Sequence, residues 1–540
     1  MNDSADPVAE VRATHGLTEL PATAPRRGKH TGAANQKLAQ MRSSEVRQAV
    51  PEGHNQWSEY RKASSLLAYT AEMAYVASER GTTMPLRSSV VIAGLAIFGI
   101  CGAARAQAPA QSAPATPGAH AVRRPRTPAP PPKVVAGIPV NYDQAKVGAY
   151  TLPDALRLPN GQRVTNAKTW YSVRRPQILH LFEEDQYGRM PGRPAAMTFD
   201  VFDHGTPVFN GIAIRKQVTI YFSANKSGPH MDLAVYVPAK AKKPVPLLLN
   251  ISFTPNPQSV GDPTAKPGSM WNAKLKKRVP MAANRPSFFG AVPAMTLLKA
   301  GFGVAAFNYA DVDPDALGAV AYGVRALYLK PGQTEPAPDE WGAISAWAWG
   351  ASRAMDYLET DPSVDAHRVA LYGVSRLGKT VLWTAAHDQR FALVIASCSG
   401  EGGAALSRRD YGETIAHLTA PSRYPYQFAA NYAKWAHDVN NFPVDANLLL
   451  ALIAPRPVLL QTGDQDLWSD PKGEFLAAVA AGPVFKLLGA DGLDTTAWPP
   501  AGTAILHTLG YEMHHGGHGT MPSDWPVYVK FLQMHLHPAS

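Results

Sequence analysis

From about Val134 onward the hydrophobic residues fall into short continuous runs, not into alternating or heptad patterns. The runs are "LLLNISF" (Leu247 to Phe253), "GVAAFNY" (Gly303 to Tyr309), "RVALYGV" (Arg368 to Val374), "ALVIAS" (Ala392 to Ser397) and "RPVLLQTG" (Arg456 to Gly463). Each stops at small or polar residues, the pattern of strands buried on both faces. Longer helix-compatible stretches separate them, notably "EWGAISAWAWGASRAMDYLET", Glu340 to Thr360. Strands alternating with helices predict an α/β fold: a parallel or mostly parallel sheet covered by helices on both faces. In such sheets the functional residues lie just beyond the C-terminal ends of the strands. No internal repeat is visible.

The N-terminal quarter has a different pattern. Residues 84–106, "MPLRSSVVIAGLAIFGICGAARA", place Arg87 before an apolar stretch from Val90 to Ile100 and end on Ala104-Arg105-Ala106. That is the layout of a secretory signal peptide, with an apolar run too short for a comfortable membrane span. Its position, starting at the internal Met84, suggests that translation begins there and that residues 1–83 are a miscalled extension. Residues 107–133 are rich in Pro and Ala and read as an extended tether. The expected organisation is therefore extension 1–83, signal 84–106, linker 107–133 and one catalytic domain over 134–540, in a secreted or periplasmic protein without stable membrane association after cleavage.

Charge removes one class of partner. The net charge is +10, but residues 1–133 hold 16 Lys and Arg against 9 Asp and Glu, leaving 36 against 33 in the remainder. The globular part carries no basic stripe, so no nucleic-acid partner is expected. The two cysteines, Cys101 and Cys398, support neither a disulfide framework nor a cysteine-based metal site. No phosphate loop, dinucleotide fingerprint or zinc pattern occurs, so no cofactor is implied.

Candidate chemistry centres on "LYGVSRLGKT", Leu371 to Thr380. Ser375 stands between a strand and a helix-compatible stretch, where a turn lifts a hydroxyl toward the helix N-terminus. The G-x-S-x-G elbow pattern fails, because Leu377 occupies the second position after the serine and glycine follows at Gly378. A helix N-cap serine gives the same local sequence. Chain order favours a nucleophile: Asp464, Asp466 and Asp470 follow a later strand, and His514, His515 and His518 come near the end, the Ser–acid–His order of α/β-hydrolases. The two glycines between His514 and His518 argue against a helical metal-binding pair.

These motifs resemble the glucuronoyl esterases, carbohydrate esterase family 15, bacterial type. The resemblance rests on "GVSRLGK" (Gly373 to Lys379), "SGEGGAALSRRDYGET" (Ser399 to Thr414), "LLALIAPRPV" and "DQDLWSDPKGEF". It extends back through "DEWGAISAWAWGASRAMDYLETD" and "RRPQILHLFEEDQYGRMPG", covering nearly all of about 145–535. It implies an α/β-hydrolase fold and a serine esterase acting on 4-O-methyl-D-glucuronoyl esters between glucuronoxylan and lignin alcohols. By the same resemblance Ser375 is the nucleophile, His518 the base, Asp466 the acid that orients it and Arg376 the oxyanion residue. Lys379, Glu413 and Trp468 match positions that contact the sugar. Where some members carry a glutamate just past the "ALVIAS" strand, Cys398 stands here and cannot serve, which leaves Glu401 as the reserve acid. A monomer is expected, with no metal or cofactor. The competing readings are an acetyl xylan esterase or broad carboxylesterase on the same fold, and a catalytically silent carbohydrate-binding relative.

Overall fold

The computed structural model describes residues 131–538 apart from position 283. The extension, the signal and nearly all of the linker expected from the sequence lie outside these residues. Two small hairpins, β1 (Val134–Val135) with β2 (Ile138–Pro139) and β7 (Ser269–Asn272) with β8 (Lys277–Pro280), flank a ten-stranded sheet.

The sheet comprises β3 (Thr198–Val208), β4 (Ala213–Tyr221), β5 (His230–Pro238), β6 (Val245–Ser252), β9 (Gly303–Asn308), β10 (Val364–Val374), β11 (Leu393–Ser397), β12 (Val458–Gly463), β13 (Thr503–Ile505) and β14 (Leu509–His514). Their order is β13-β14-β12-β11-β10-β6-β9-β5-β4-β3. The six strands from β14 to β9 run parallel. The β5-β4-β3 flank and the short edge strand β13 are antiparallel to their neighbours. Every residue of β6, β9, β11 and β12 is buried, which is why these strands read as unbroken apolar runs. The antiparallel flank is mixed: β5 holds the buried apolar run Leu233–Val237, whereas β3 has one buried residue in eleven. β4 alternates buried and half-buried positions over Ala213–Lys216 and is buried from Gln217 to Ile220, while β3, at the free edge, exposes Thr198, Asp200 and His204, polar positions that discourage pairing with another chain.

Alternating side chains feed two cores, so the molecule is a three-layer α/β sandwich. Leu247, Leu249 and Leu371 face a core completed by the helices Arg175–Asp185, Ala343–Leu358, Arg376–His387, Ala446–Ile453 and Pro471–Leu487. Leu248, Ala370 and Ile395 face the opposite core, closed by the helices Ala294–Lys299 and Trp525–Leu536. The helix expected over Glu340 to Thr360 spans Ala343–Leu358 and is buried along its whole length. Gly350 allows it to press on Val312, whose methyl would lie 2.5 Å from an added Cβ.

Candidate active site

Four adjacent parallel strands, β10, β11, β12 and β14, end on the same side of the sheet, and each is followed by residues singled out in the sequence. Ser375 sits between β10 and the helix Arg376–His387 with φ 59° and ψ −127°. A non-glycine residue in that region is strained by about 1–3 kcal/mol, and such strain collects at functional turns. The turn is tied down by Ser375 N–H donating to the Ser397 carbonyl at 2.8 Å. Two glycines make it possible. A Cβ at Gly373 would lie 2.3 Å from the Leu377 carbonyl oxygen, and one at Gly378 would lie 2.9 Å from the Ser397 carbonyl oxygen. The close approach between helix and neighbouring strand therefore falls one position later than in G-x-S-x-G, while Leu377 is buried in the core.

His518 Nδ1 lies 2.7 Å from Asp466 Oδ2 and 3.2 Å from Ser469 Oγ. Asp466 is 5% exposed and His518 22%. Burial works against charge on Asp466, but His518 and the hydroxyl of Ser469 outweigh it and hold the carboxyl below its usual range. The histidine loop is fastened to the end of β11 by Gly519 N–H on Cys398 Sγ, 3.3 Å. Phe289 packs against the His518 ring at 5.8 Å between centroids. Of the other candidates in these two segments, Asp470 pairs with Arg409, Asp464 with His515, and His514 with Asp524.

Glu401 is not part of this pair. Its carboxyl accepts from Ser407 Oγ at 2.6 Å and Tyr432 OH at 2.9 Å, and burial pushes its pKa up to about 8. It is a buried, largely protonated acid at neutral pH. Cys398 Sγ, by contrast, lies within 4.8 Å of an Asp466 carboxylate oxygen and a His518 ring nitrogen. Burial first, and the Asp466 charge second, keep this thiol well above its ordinary pKa. A neutral thiol can accept the Gly519 N–H but cannot orient an imidazolium.

Arg376 opens the helix after the serine, and its guanidinium is fixed from behind. Nη1 donates to Asp315 Oδ2 at 2.6 Å, and the plane lies over Tyr424 at 4.7 Å. Asp315 also accepts from Tyr309 OH, Tyr426 OH and Gln427 Nε2 at 2.7, 2.7 and 2.9 Å. Burial opposes its charge, but Arg376 and these donors keep Asp315 below the usual carboxylate range.

Next to the serine turn lies a polar patch. Lys379 is 5% exposed, with Nζ donating to the Ser399 carbonyl at 2.7 Å. Burial lowers its pKa, a loss partly offset by Glu413, Glu401 and Glu474. Glu413 N–H donates to the Trp468 carbonyl at 2.8 Å, and Gly412, at φ 67°, permits that contact because a Cβ would meet the Trp468 oxygen at 2.5 Å. Arg423 completes the patch: it lies 3.3 Å from Glu413, 5.7 Å over Trp468 and 4.7 Å over Tyr424. Sequence reading missed Arg423 and Asp315, both loop residues in segments without periodicity or motif. Gln186 and Tyr187 reach the same region from far upstream, donating to the Gly402 carbonyl at 3.3 and 2.7 Å. A hydroxyl on a strained turn, a carboxylate-held imidazole and an anchored guanidinium are equipment for acyl transfer.

Comparison with known proteins points the same way. The family model described as glucuronyl esterase, fungi, matches residues 283–489. The chain is 40% identical over 402 residues to the carbohydrate esterase MZ0003 of an unknown prokaryotic organism, covering 73% of this chain and 92% of that protein. It is 26% identical over 392 residues to the 4-O-methyl-glucuronoyl methylesterase of Cerrena unicolor, covering 69% of this chain and 71% of that one. Among solved structures, the glucuronoyl esterase from Solibacter usitatus matches with a TM-score of 0.68 and 43% identity, over 72% of this chain and 99% of that chain.

Proposed function

Because the chain belongs to the glucuronoyl esterases of carbohydrate esterase family 15, and is thus a carboxylic ester hydrolase, we propose that it cleaves 4-O-methyl-D-glucuronoyl esters joining glucuronoxylan to lignin alcohols through a Ser375–His518–Asp466 acyl-enzyme mechanism. The observation that carries this reading is the 2.7 Å His518–Asp466 contact, located two parallel strands from the strained serine turn.

In the proposed reaction Ser375 Oγ attacks the uronate carbonyl carbon as His518 Nε2 takes the hydroxyl proton. Asp466 accepts from Nδ1 and stabilises the imidazolium that results. Negative charge builds on the former carbonyl oxygen and meets the Arg376 N–H and guanidinium. The Asp315 pair holds that cation in place before the charge appears, so little reorganisation is needed. Collapse breaks the bond to the alcohol oxygen, which leaves with the proton from His518. Water then attacks the acyl carbon as His518 takes its proton, and as the bond to Ser375 Oγ breaks that proton returns to the serine and the uronate leaves. The sugar is held by hydrogen bonds to Lys379 and Glu413 and by its ring face on Trp468, with Arg423 bracing the last two. Lys379 spends one of its three hydrogens on Ser399, which leaves two for hydroxyls.

This reading extends to an exported, monomeric enzyme whose signal and tether are residues 84–106 and 107–133. The test compares hydrolysis of benzyl glucuronate with that of acetylated xylan. Preferential cleavage of the uronate ester is expected. Equal or better turnover of the acetylated polymer would replace the proposal with an acetyl xylan esterase or broad carboxylesterase.

A further inference from the structure

The loop that carries His518 has little stiffness of its own. "HHGGHGTM", His514 to Met521, contains Gly516 at φ 146° and Gly519 at φ 111°, with Gly517 between them, and glycine supplies no conformational preference to aim a side chain. Both ends of the loop are instead tied to one buried pair. His514, 4% exposed, places Nε2 2.9 Å from the Gly517 carbonyl and Nδ1 2.9 Å from Asp524 Oδ2. The same Asp524 oxygen accepts Met521 N–H at 2.7 Å, and Asp524 is fully buried.

The surroundings of the ring determine which hydrogens it carries. Facing a carbonyl, Nε2 must be protonated. Nδ1 stands between an acceptor, Asp524, and a donor, Gln461 Nε2 at 2.8 Å. Gln461 cannot turn over usefully, because its nitrogen donates to the Thr462 carbonyl at 2.7 Å while its oxygen takes the Ser397 and Tyr528 hydroxyls. Protonated, Nδ1 bonds to Asp524, and the Gln461 N–H that faces it loses its acceptor. Neutral, it accepts from Gln461 and turns a lone pair toward a buried carboxylate that forms no other ion pair among the described residues, a costly arrangement.

We propose that His514 is a positioning residue for ester hydrolysis: as an imidazolium clamped between Asp524 and the Gly517 carbonyl it fixes the loop that aims His518, and turnover falls when its Nδ1 proton leaves. The proposal rests on His518 acting as the base.

The charges around the ring favour this state. Burial opposes the cation, but Asp524 at the start of the last helix, the Gly517 carbonyl and Asp464 in the loop after β12 outweigh it and raise the pKa. Glu512, on the strand His514 ends, is held neutral up to about pH 9 by burial. Tyr528 bonds to Gln461 and lies 3.3 Å from Thr520 Oγ1 in the same loop, and it brings no charge at neutral pH, its own pKa being well above the usual value because of burial. With the folded-state pKa above the unfolded one, the clamp is complete below the unfolded value and is lost as pH rises through the folded one.

The test uses the full chain, with 15N-histidine spectra and pH profiles of kcat and KM on benzyl glucuronate for wild type, Asp524→Asn and His514→Gln. At pH 7 wild-type His514 should show both ring nitrogens protonated. As it titrates, kcat should fall with KM nearly constant. Asp524→Asn keeps an oxygen for Met521 N–H but loses the charge, so its alkaline limb should move about one pH unit or more to lower pH, while the acid limb stays. His514→Gln should lose the alkaline limb and run about 10- to 100-fold slower, the scale of a slight misplacement of a catalytic group. If that variant does not fold, Asp524→Asn and the wild-type spectrum decide. A neutral His514 at pH 7, or an unmoved limb in Asp524→Asn, overturns the proposal. Activity surviving His518→Ala would instead overturn the base assignment, and the charge of His514 in the spectrum would still be read independently of it.

Discussion

Replacing Asp466 with asparagine should separate the two acids that the sequence left as alternatives. In Asp466→Asn the amide nitrogen can face Nδ1, which then must be unprotonated, and Nε2 carries the proton and cannot take one from Ser375. Two estimates of the loss agree. The equivalent change in serine hydrolases costs about 10⁴ in kcat, or about 5 kcal/mol. The Coulomb energy lost at the 2.7 Å separation is about 6 kcal/mol at an effective dielectric of about 20. Ser469 Oγ, 3.2 Å from the same nitrogen, is neutral and can replace the hydrogen bond but not the charge. Glu401→Gln provides the contrast. With its pKa pushed up to about 8, Glu401 is mostly protonated at pH 7, and an amide there still accepts from Ser407 and Tyr432. Its kcat should stay within about threefold of wild type, under ~1 kcal/mol. Single-turnover rates on benzyl glucuronate at pH 7, with near-UV circular dichroism to confirm the fold, decide between them. A variant Asp466→Asn retaining more than about a tenth of wild-type kcat, or a Glu401→Gln loss of comparable size, would refute the reasoning.

Ser375→Gly should abolish turnover yet raise stability by about 1 kcal/mol, since glycine relieves the positive φ; a lowered Tm would contradict the strain argument. Asp315→Asn should lower kcat about tenfold on uronate and acetate esters alike with KM little changed, because it loosens Arg376 and not the sugar; a rise confined to KM would count against it. Lys379→Ala should cost about 1–3 kcal/mol in kcat/KM on glucuronate esters and much less on an acetylated phenol, whereas equal losses would mean that Lys379 supports the turn through Ser399. Burial raises Glu474 to about 8. Its folded pKa exceeds the unfolded one, so its contribution to stability is greatest below about pH 4.5 and declines as pH rises to about 8. Glu474→Gln should flatten that decline in urea titrations at pH 5 and pH 8.5, and an unchanged slope would show that the carboxyl is already charged.

The parallel centre of the sheet was legible in the sequence because strands covered on both faces must be apolar throughout: β6, β9, β10, β11 and β12 were each visible as runs. In the antiparallel flank, β3 was not legible because it lies at the edge and is mostly exposed, and the buried run Leu233–Val237 of β5 was legible but not singled out. β14 escaped for a related reason: "LGYEMH" buries Glu512 and His514, which sequence patterning reads as loop. For the site, residue types and chain order sufficed to name Ser375, Asp466 and His518 as candidates, because strand-end chemistry in α/β folds follows the order of the strands. Residue type and chain order alone left open which of three aspartates meets which of three histidines; the family resemblance named Asp466 and His518, and the packed structure brings these two together. Asp464, Asp466 and Asp470 are close in sequence, but the turn after β12 directs them to His515, His518 and Arg409. The same holds for Glu401, whose partners Ser407 and Tyr432 come from packing, and for Asp315 and Arg423, which act on Arg376 and Trp468 from distant loops. Local sequence sets backbone conformation and burial pattern, whereas the pairing of buried charges depends on distances that exist only after the layers have packed.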